Sequence, residues 1–187
     1  MGDVIDRDGF RANVGIVLMH GDARLFIGRR SGGRGWQFPQ GGMQRGEQAE
    51  DALFRELGEE IGLTRDDVEI VGQTHSWLRY RLPTRYQRRD SRPRCIGQKQ
   101  RWFMLRLKQA EVQFRFDTTG EPEFDRWRWV DYWQPIREVI YFKRTVYARA
   151  LHELGTQVFP KGLPPYPDWW HQAEDSDGDS DAEAEAS

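Results

Sequence analysis

Three glutamates, Glu56, Glu59 and Glu60, stand at i, i+3 and i+4 in a segment that also carries Ala49, Leu53, Leu57 and Ile61 at intervals of four. On a helix this spacing gathers three carboxylates on one face and an apolar stripe on the next. Clustered carboxylates repel one another unless a cation balances them. An all-oxygen set suits a hard divalent ion such as magnesium or manganese. Arg55, four residues before Glu59, can orient one carboxylate while others stay open. The glycine-rich stretch ahead of the helix, with Gly41 and Gly42, lets backbone approach an ion or a phosphate closely. A solvated acidic face would explain the three carboxylates alone.

Positioning them requires a scaffold. The periodicity predicts a helix over 48–61, ended by Gly62 as a left-handed cap. Segments 13–20 and 23–30 predict a hairpin turning at Gly21-Asp22. Segment 31–46 predicts mostly loop. Further strands are expected over 68–75, 77–82, 100–107 and 126–130. Pro135 opens a helical stretch, and 144–154 has helical spacing at Val146, Ala150 and Leu154. Strands surrounding one helix, with helices late, predict an α+β fold: a mixed β-sheet packed between helices as an α/β/α sandwich. Residues 1–160 form the expected domain, 161–171 a Pro- and Trp-containing extension, and 172–187 a disordered acidic tail.

Composition narrows the function classes. The chain has 187 residues, 13% aromatic and 31% charged. That aromatic content argues against a disordered chain, and no apolar run is long enough to span a bilayer. With a single cysteine, Cys95, neither an internal disulfide nor a multi-cysteine metal site can form. Cys95, His20, His75 and His152 have no partner cluster and read as structural. The N-terminus shows no secretory pattern, so a cytoplasmic protein is expected. The net charge of −2 conceals an asymmetry, because seven acidic residues lie in 172–187. The remaining chain carries 28 basic against 23 acidic residues, +5, and attracts polyanions. Ten Lys or Arg fall within 79–106, interleaved with Tyr80, Tyr86, Trp102 and Phe103. Charge plus rings suits a single-stranded nucleic acid, although Trp102 and Phe103 are adjacent and one of them should face inward.

The wider spacing decides against a bland acidic face. Gly41 is followed after five residues by Glu47, after seven more by Arg55-Glu56-Leu57, then by Glu59-Glu60 and Gly62-Leu63. This resembles the Nudix box at all nine defined positions. Trp36-Gln37-Phe38-Pro39-Gln40-Gly41-Gly42, Ile96-Gly97-Gln98-Lys99-Gln100-Arg101-Trp102-Phe103, Pro122-Glu123-Phe124-Asp125 and Phe142-Lys143-Arg144 are similar to blocks of the bacterial RNA pyrophosphohydrolases within that family. The same blocks occur less completely in its dinucleoside polyphosphate hydrolases.

The resemblance implies a Nudix fold and metal-dependent hydrolysis of a phosphoric anhydride, converting a 5′-triphosphate or diphosphate RNA end to a monophosphate and so initiating decay. It implies Mg²⁺ or Mn²⁺ held by Glu56, Glu59, Glu60, Glu123 and backbone near Gln40 and Gly41. Glu56 is the candidate general base. Arg11, Arg30, Lys99, Ile140, Phe142 and Lys143 are the implied substrate contacts, with Phe142 stacking on a base near the 5′ end. Gly41, Glu47, Arg55 and Gly62 shape the motif. The RNA 5′ end is the expected partner, no membrane is involved, and the acidic tail is a candidate competitor for the basic face. Oligomeric state and any protein activator are not defined by the sequence. The rival expectations are a dinucleoside polyphosphate hydrolase and a catalytically silent RNA-binding module. The long basic segment favours RNA over a dinucleotide, and the intact box argues against a silent module.

Overall fold

The computed structural model describes residues 4–33, 35–87 and 93–170. The acidic tail, and Arg88, Arg89 and Arg92 of the basic segment, lie outside the described residues.

Two long apolar strands make the centre. β1 (Phe10–Met19) and β7 (Gly97–Leu107) run parallel in continuous register from Phe10↔Gly97 to Met19↔Arg106. Both are buried along most of their length because helices cover both sheet faces, and doubly covered strands read as unbroken apolar runs. The main path of the sheet is β3 (Trp36–Gln37), β2 (Leu25–Arg30), β1, β7 and β5 (Val68–Gln73). β4 (Gln40–Gly42) pairs with β1, β6 (Leu78–Arg81) with β7, and β8 (Phe124–Val130) with β2.

α1 (Ala49–Ile61) packs Leu53, Leu57 and Ile61 against Val14, Ile16, Leu18, Phe103 and Leu105. On the opposite face α3 (Arg144–Val158) packs Val146, Tyr147, Ala150, Leu151 and Leu154 against Val17, Trp102 and Met104. The short α2 (Pro135–Glu138) adjoins α3. The α/β/α arrangement matches the sequence expectation, and α1 ends at Gly62 with φ 74°.

Two expectations change. The hairpin between β1 and β2 amounts to one pair, Met19↔Leu25, after which β2 departs to pair with β8 and β3. Its left-handed residue is Ala23, φ 68°. The stretch 31–46 is mostly loop, as expected, with the short strands β3 and β4 inside it. Trp102 and Phe103 are both buried, on opposite faces, so neither is offered to a nucleobase. One of them would have been free only on a sheet with one bare face.

The extension folds back onto the domain. Trp133 Nε1 donates to the Pro164 carbonyl at 2.9 Å, and its ring stacks on Tyr166 with centroids 4.7 Å apart. On the α3 face the fully buried Tyr147 hydroxyl accepts the Phe38 N–H at 3.0 Å, which pins the β3–β4 connection to the helix. Tyr147→Phe leaves that buried N–H without its partner. It should cost about 1–3 kcal/mol in denaturant unfolding, with an unchanged m-value.

Candidate active site

Strand parity builds the site. In the parallel pairing, Arg11 lies opposite Gln98, and Asn13 opposite Gln100. Arg11, Asn13 and Gln98 line a cavity of about 520 Å³ together with Gln37, Gln40, Gly41 and Gly42 from the β3–β4 segment, while the buried Gln100 donates to Asn13 Oδ1 at 2.9 Å. Glu56 and Glu60 enter from α1, Arg30 and Glu123 from the ends of β2 and β8, and Ile140, Phe142 and Lys143 from the turn before α3.

The carboxylate trio divides. Glu56 and Glu60 are 8% and 9% exposed, while the Glu59 side chain is 44% exposed and stands outside the cavity lining. Burial pushes both inner carboxyls above the usual range, Glu60 well above it, and charge repulsion from Glu56 and Glu123 adds to the Glu60 shift. Glu60 also accepts the Gln40 N–H at 3.0 Å, which opposes the shift. Gly41 is where backbone and carboxylate meet: a Cβ there would lie 1.7 Å from Glu56 Cδ.

Arg55 organises the other side. Its Nε and Nη2 donate to the two Glu47 oxygens at 2.8 and 2.9 Å, and Nη2 also reaches the Gly42 carbonyl at 2.8 Å. Nη1 donates to Glu56 at 2.6 Å and to Glu59 at 3.3 Å. The expected Arg55–Glu59 contact is present, but Glu47 and Glu56 are the stronger partners. These bonds, Glu47 first, raise the Arg55 pKa above its ordinary value and hold Glu47 below the usual carboxylate range.

The donor set suits a divalent cation. Two buried carboxylates face each other's charge, Glu123 stands across the cavity, and the Gln40–Gly42 backbone runs beside Glu56, all offering oxygen. Among the described residues no group of three acidic, histidine or cysteine side chains is gathered as a complete ligand set. Arg55 spans the Glu56 and Glu59 oxygens.

Cations also line the cavity. Lys143 is buried, and its Nζ donates to Gln40 Oε1 at 3.2 Å and Gln37 Oε1 at 3.3 Å. Burial, helped by Arg30 nearby, brings it down to about 8. Arg30 Nε pairs with Glu123 at 2.9 Å, and the Arg11 guanidinium lies against Gly42. Lys99 is not brought to this cavity. It has the parity of Phe103, points to the other sheet face and pairs with Asp6 at 2.9 Å. The sequence reading missed Asn13, Gln37 and Trp36, which also line the cavity. Asn13 and Gln37 are buried polar residues within strands, a signal that needs the strand faces to be known first. Lys143→Met should keep the fold but lower kcat/KM on a polyphosphate substrate by about tenfold or more, because a charge-assisted contact is lost. Steady-state kinetics at fixed metal concentration would measure it.

An α/β/α sandwich whose glycine-led helix directs buried glutamates at a basic cavity is the architecture of one family, and a NUDIX domain model matches residues 9–150. The chain belongs to the Nudix family. It is 57% identical over 164 residues to an RNA pyrophosphohydrolase of Alkalilimnicola ehrlichii, covering 88% of this chain and 91% of that one. It is 56% identical over 161 residues to an RNA pyrophosphohydrolase of Thioalkalivibrio sulfidiphilus, covering 86% and 93%. In fold it is similar to the E. coli dihydroneopterin triphosphate pyrophosphohydrolase, with a TM-score of 0.61, 19% identity, and coverage of 80% and 98%. No helix among the described residues is long and apolar enough to cross a membrane.

Proposed function

We propose that the protein is an RNA 5′-pyrophosphohydrolase that converts triphosphate or diphosphate ends to monophosphates. The observation that carries this reading is one cavity in which the buried Glu56 and Glu60 face Arg11, Arg30 and Lys143, with Phe142 on the wall. Relatives above 55% identity over most of both chains bear that name, which supports RNA over a dinucleoside polyphosphate.

Mg²⁺ or Mn²⁺ is the fitting ion; Glu56, Glu60 and Glu123 with the Gln40 and Gly41 backbone would hold it, and Glu59 would join them by turning in from outside the cavity lining. When bound, it supplies charge neutralisation at phosphate and a more acidic water. Arg11, Arg30 and Lys143 take the charge of the remaining phosphate oxygens and hold the chain end in line. Glu56, buried in the cavity lining, accepts the proton of the attacking water. The water oxygen bonds to phosphorus, the anhydride P–O bond breaks, and pyrophosphate leaves, or orthophosphate from a diphosphate end. Arg55 keeps Glu56 in place through the contact at 2.6 Å. Ile140 and Phe142 bound the place of the first bases.

The test is product analysis with end-labelled triphosphate RNA, with and without Mg²⁺, beside diadenosine tetraphosphate. Mg²⁺-dependent release of pyrophosphate, much faster than dinucleotide cleavage, is expected. Faster turnover of the dinucleotide would reassign the substrate. No metal-dependent release from either would return the silent binding module.

A further inference from the structure

Among the described residues four large apolar or aromatic side chains are well exposed, and two of them, Tyr86 at 43% and Tyr141 at 50%, flank Phe142. Tyr86 comes from the 3-10 turn Thr84–Tyr86 and Tyr141 from the 3-10 turn Tyr141–Lys143. Their ring centroids lie 5.1 and 5.4 Å from that of Phe142, which is backed by the buried Tyr80 at 5.9 Å. Tyr86 lines the cavity and is itself 43% exposed.

Arg85 ties the two tyrosines together. Its Nη2 donates to Tyr141 Oη at 3.2 Å, and its Cζ lies 5.0 Å from the Tyr86 ring centre and 5.7 Å from that of Tyr141. Two rings and a guanidinium, left open at the mouth of an anion-binding cavity, have the chemistry that takes a nucleobase and its phosphate. Core packing does not account for them, since each exposes close to half its surface.

We infer that Tyr86 and Tyr141, bridged by Arg85, form a second base shelf beyond Phe142, which takes the next unpaired nucleotide of the RNA. This rests on the RNA-end reading above. The shelf makes affinity grow with the length of the unpaired 5′ stretch. It also separates a true RNA end from a mononucleotide or dinucleotide carrying the same phosphates.

The test uses the full chain with Mg²⁺ and triphosphorylated RNAs of two, three and four nucleotides. Wild type is compared with the Tyr86→Leu/Tyr141→Ser double variant and with Tyr86→Phe/Tyr141→Phe, which keeps both rings. On the longer RNAs the first variant should raise KM about 5- to 20-fold with kcat unchanged, as loss of one stacked base on an open shelf requires. On the dinucleotide it should match wild type, and the phenylalanine variant should stay within about twofold of wild type on every length. 2-Aminopurine placed at each of the first four positions in turn gives a second readout. One position should be quenched in wild type and in the phenylalanine variant, but not in the Leu/Ser variant. Unchanged KM on all lengths would overturn the shelf. Equal loss on the dinucleotide would do the same, showing that the rings only prop Phe142. If wild type turns over none of the RNAs, the parent reading falls and takes the shelf with it. Turnover with no length dependence sinks the shelf alone.

Discussion

Glu60→Gln should abolish turnover while leaving the protein at least as stable as wild type. The side chain is buried, its carboxyl is pushed well above the ordinary range by desolvation and by Glu56 and Glu123, and its structural bond comes from the Gln40 N–H at 3.0 Å. Glutamine keeps an oxygen for that N–H and removes the buried charge. Folding therefore loses little or gains, whereas a cation loses an anionic ligand. A fall in kcat of about 10²–10⁴ is expected, the scale on which single groups in such sites act.

The pH dependence carries its own signature. Glu60 binds its proton more tightly folded than unfolded. Between the unfolded value near 4.5 and the higher folded one, the native state holds a proton that the unfolded chain lacks. Stability of the metal-free protein should therefore rise as pH falls through that window. Glu47, Asp6 and Asp125 are shifted the other way and remove stability only at lower pH, below their unfolded values. Urea melts in chelator from pH 7 to 5 should show the rise in wild type and a smaller one in Glu60→Gln. A large drop in Tm for the variant would mean that the carboxylate supports the fold and not the chemistry.

Gly41→Ala should be nearly as damaging to activity, by a different route. No chemical group is removed. A Cβ at this position would fall 1.7 Å from Glu56 Cδ, so either the carboxylate leaves its seat or β4 shifts off β1, where Gly41 pairs with Val14. In either case Glu56 and the backbone separate by far more than a productive site tolerates. A hundredfold or larger fall in kcat is expected, on the order seen for small misplacements in other sites. Far-UV circular dichroism should be unchanged. Titration with Mn²⁺ followed by electron paramagnetic resonance should show weakened binding. Unaltered Mn²⁺ affinity together with full activity would remove Gly41 from the site.

Local signals carried the centre of this molecule into the sequence. The four-residue apolar spacing of α1, the glycine that ends it and the glutamates on its inner side follow from helix geometry alone. What the sequence hid was non-local. β3 and β4 have two and three residues, too few for any alternation to register. The partner of β1 could not be read from β1, because parallel pairing with β7 leaves no turn between them. That one fact decides several side chains. It buries Trp102 and Phe103 together, turns Gln98 into the cavity, sets Gln100 against Asn13 and sends Lys99 away. Tyr141 escaped notice because its neighbours Phe142 and Lys143 carried the family pattern, whereas its exposure belongs to the fold.

The central pairing also sets an order of events during synthesis. Arg11 and Asn13 acquire their neighbours Gln98 and Gln100 only across a separation of 87 residues. A chain leaving the ribosome can form α1 early, but it cannot close the anion pocket until β7 has emerged, and the turn bearing Lys143 comes later still. Contacts this distant are slow to form. The nascent protein therefore spends most of its translation with that pocket incomplete.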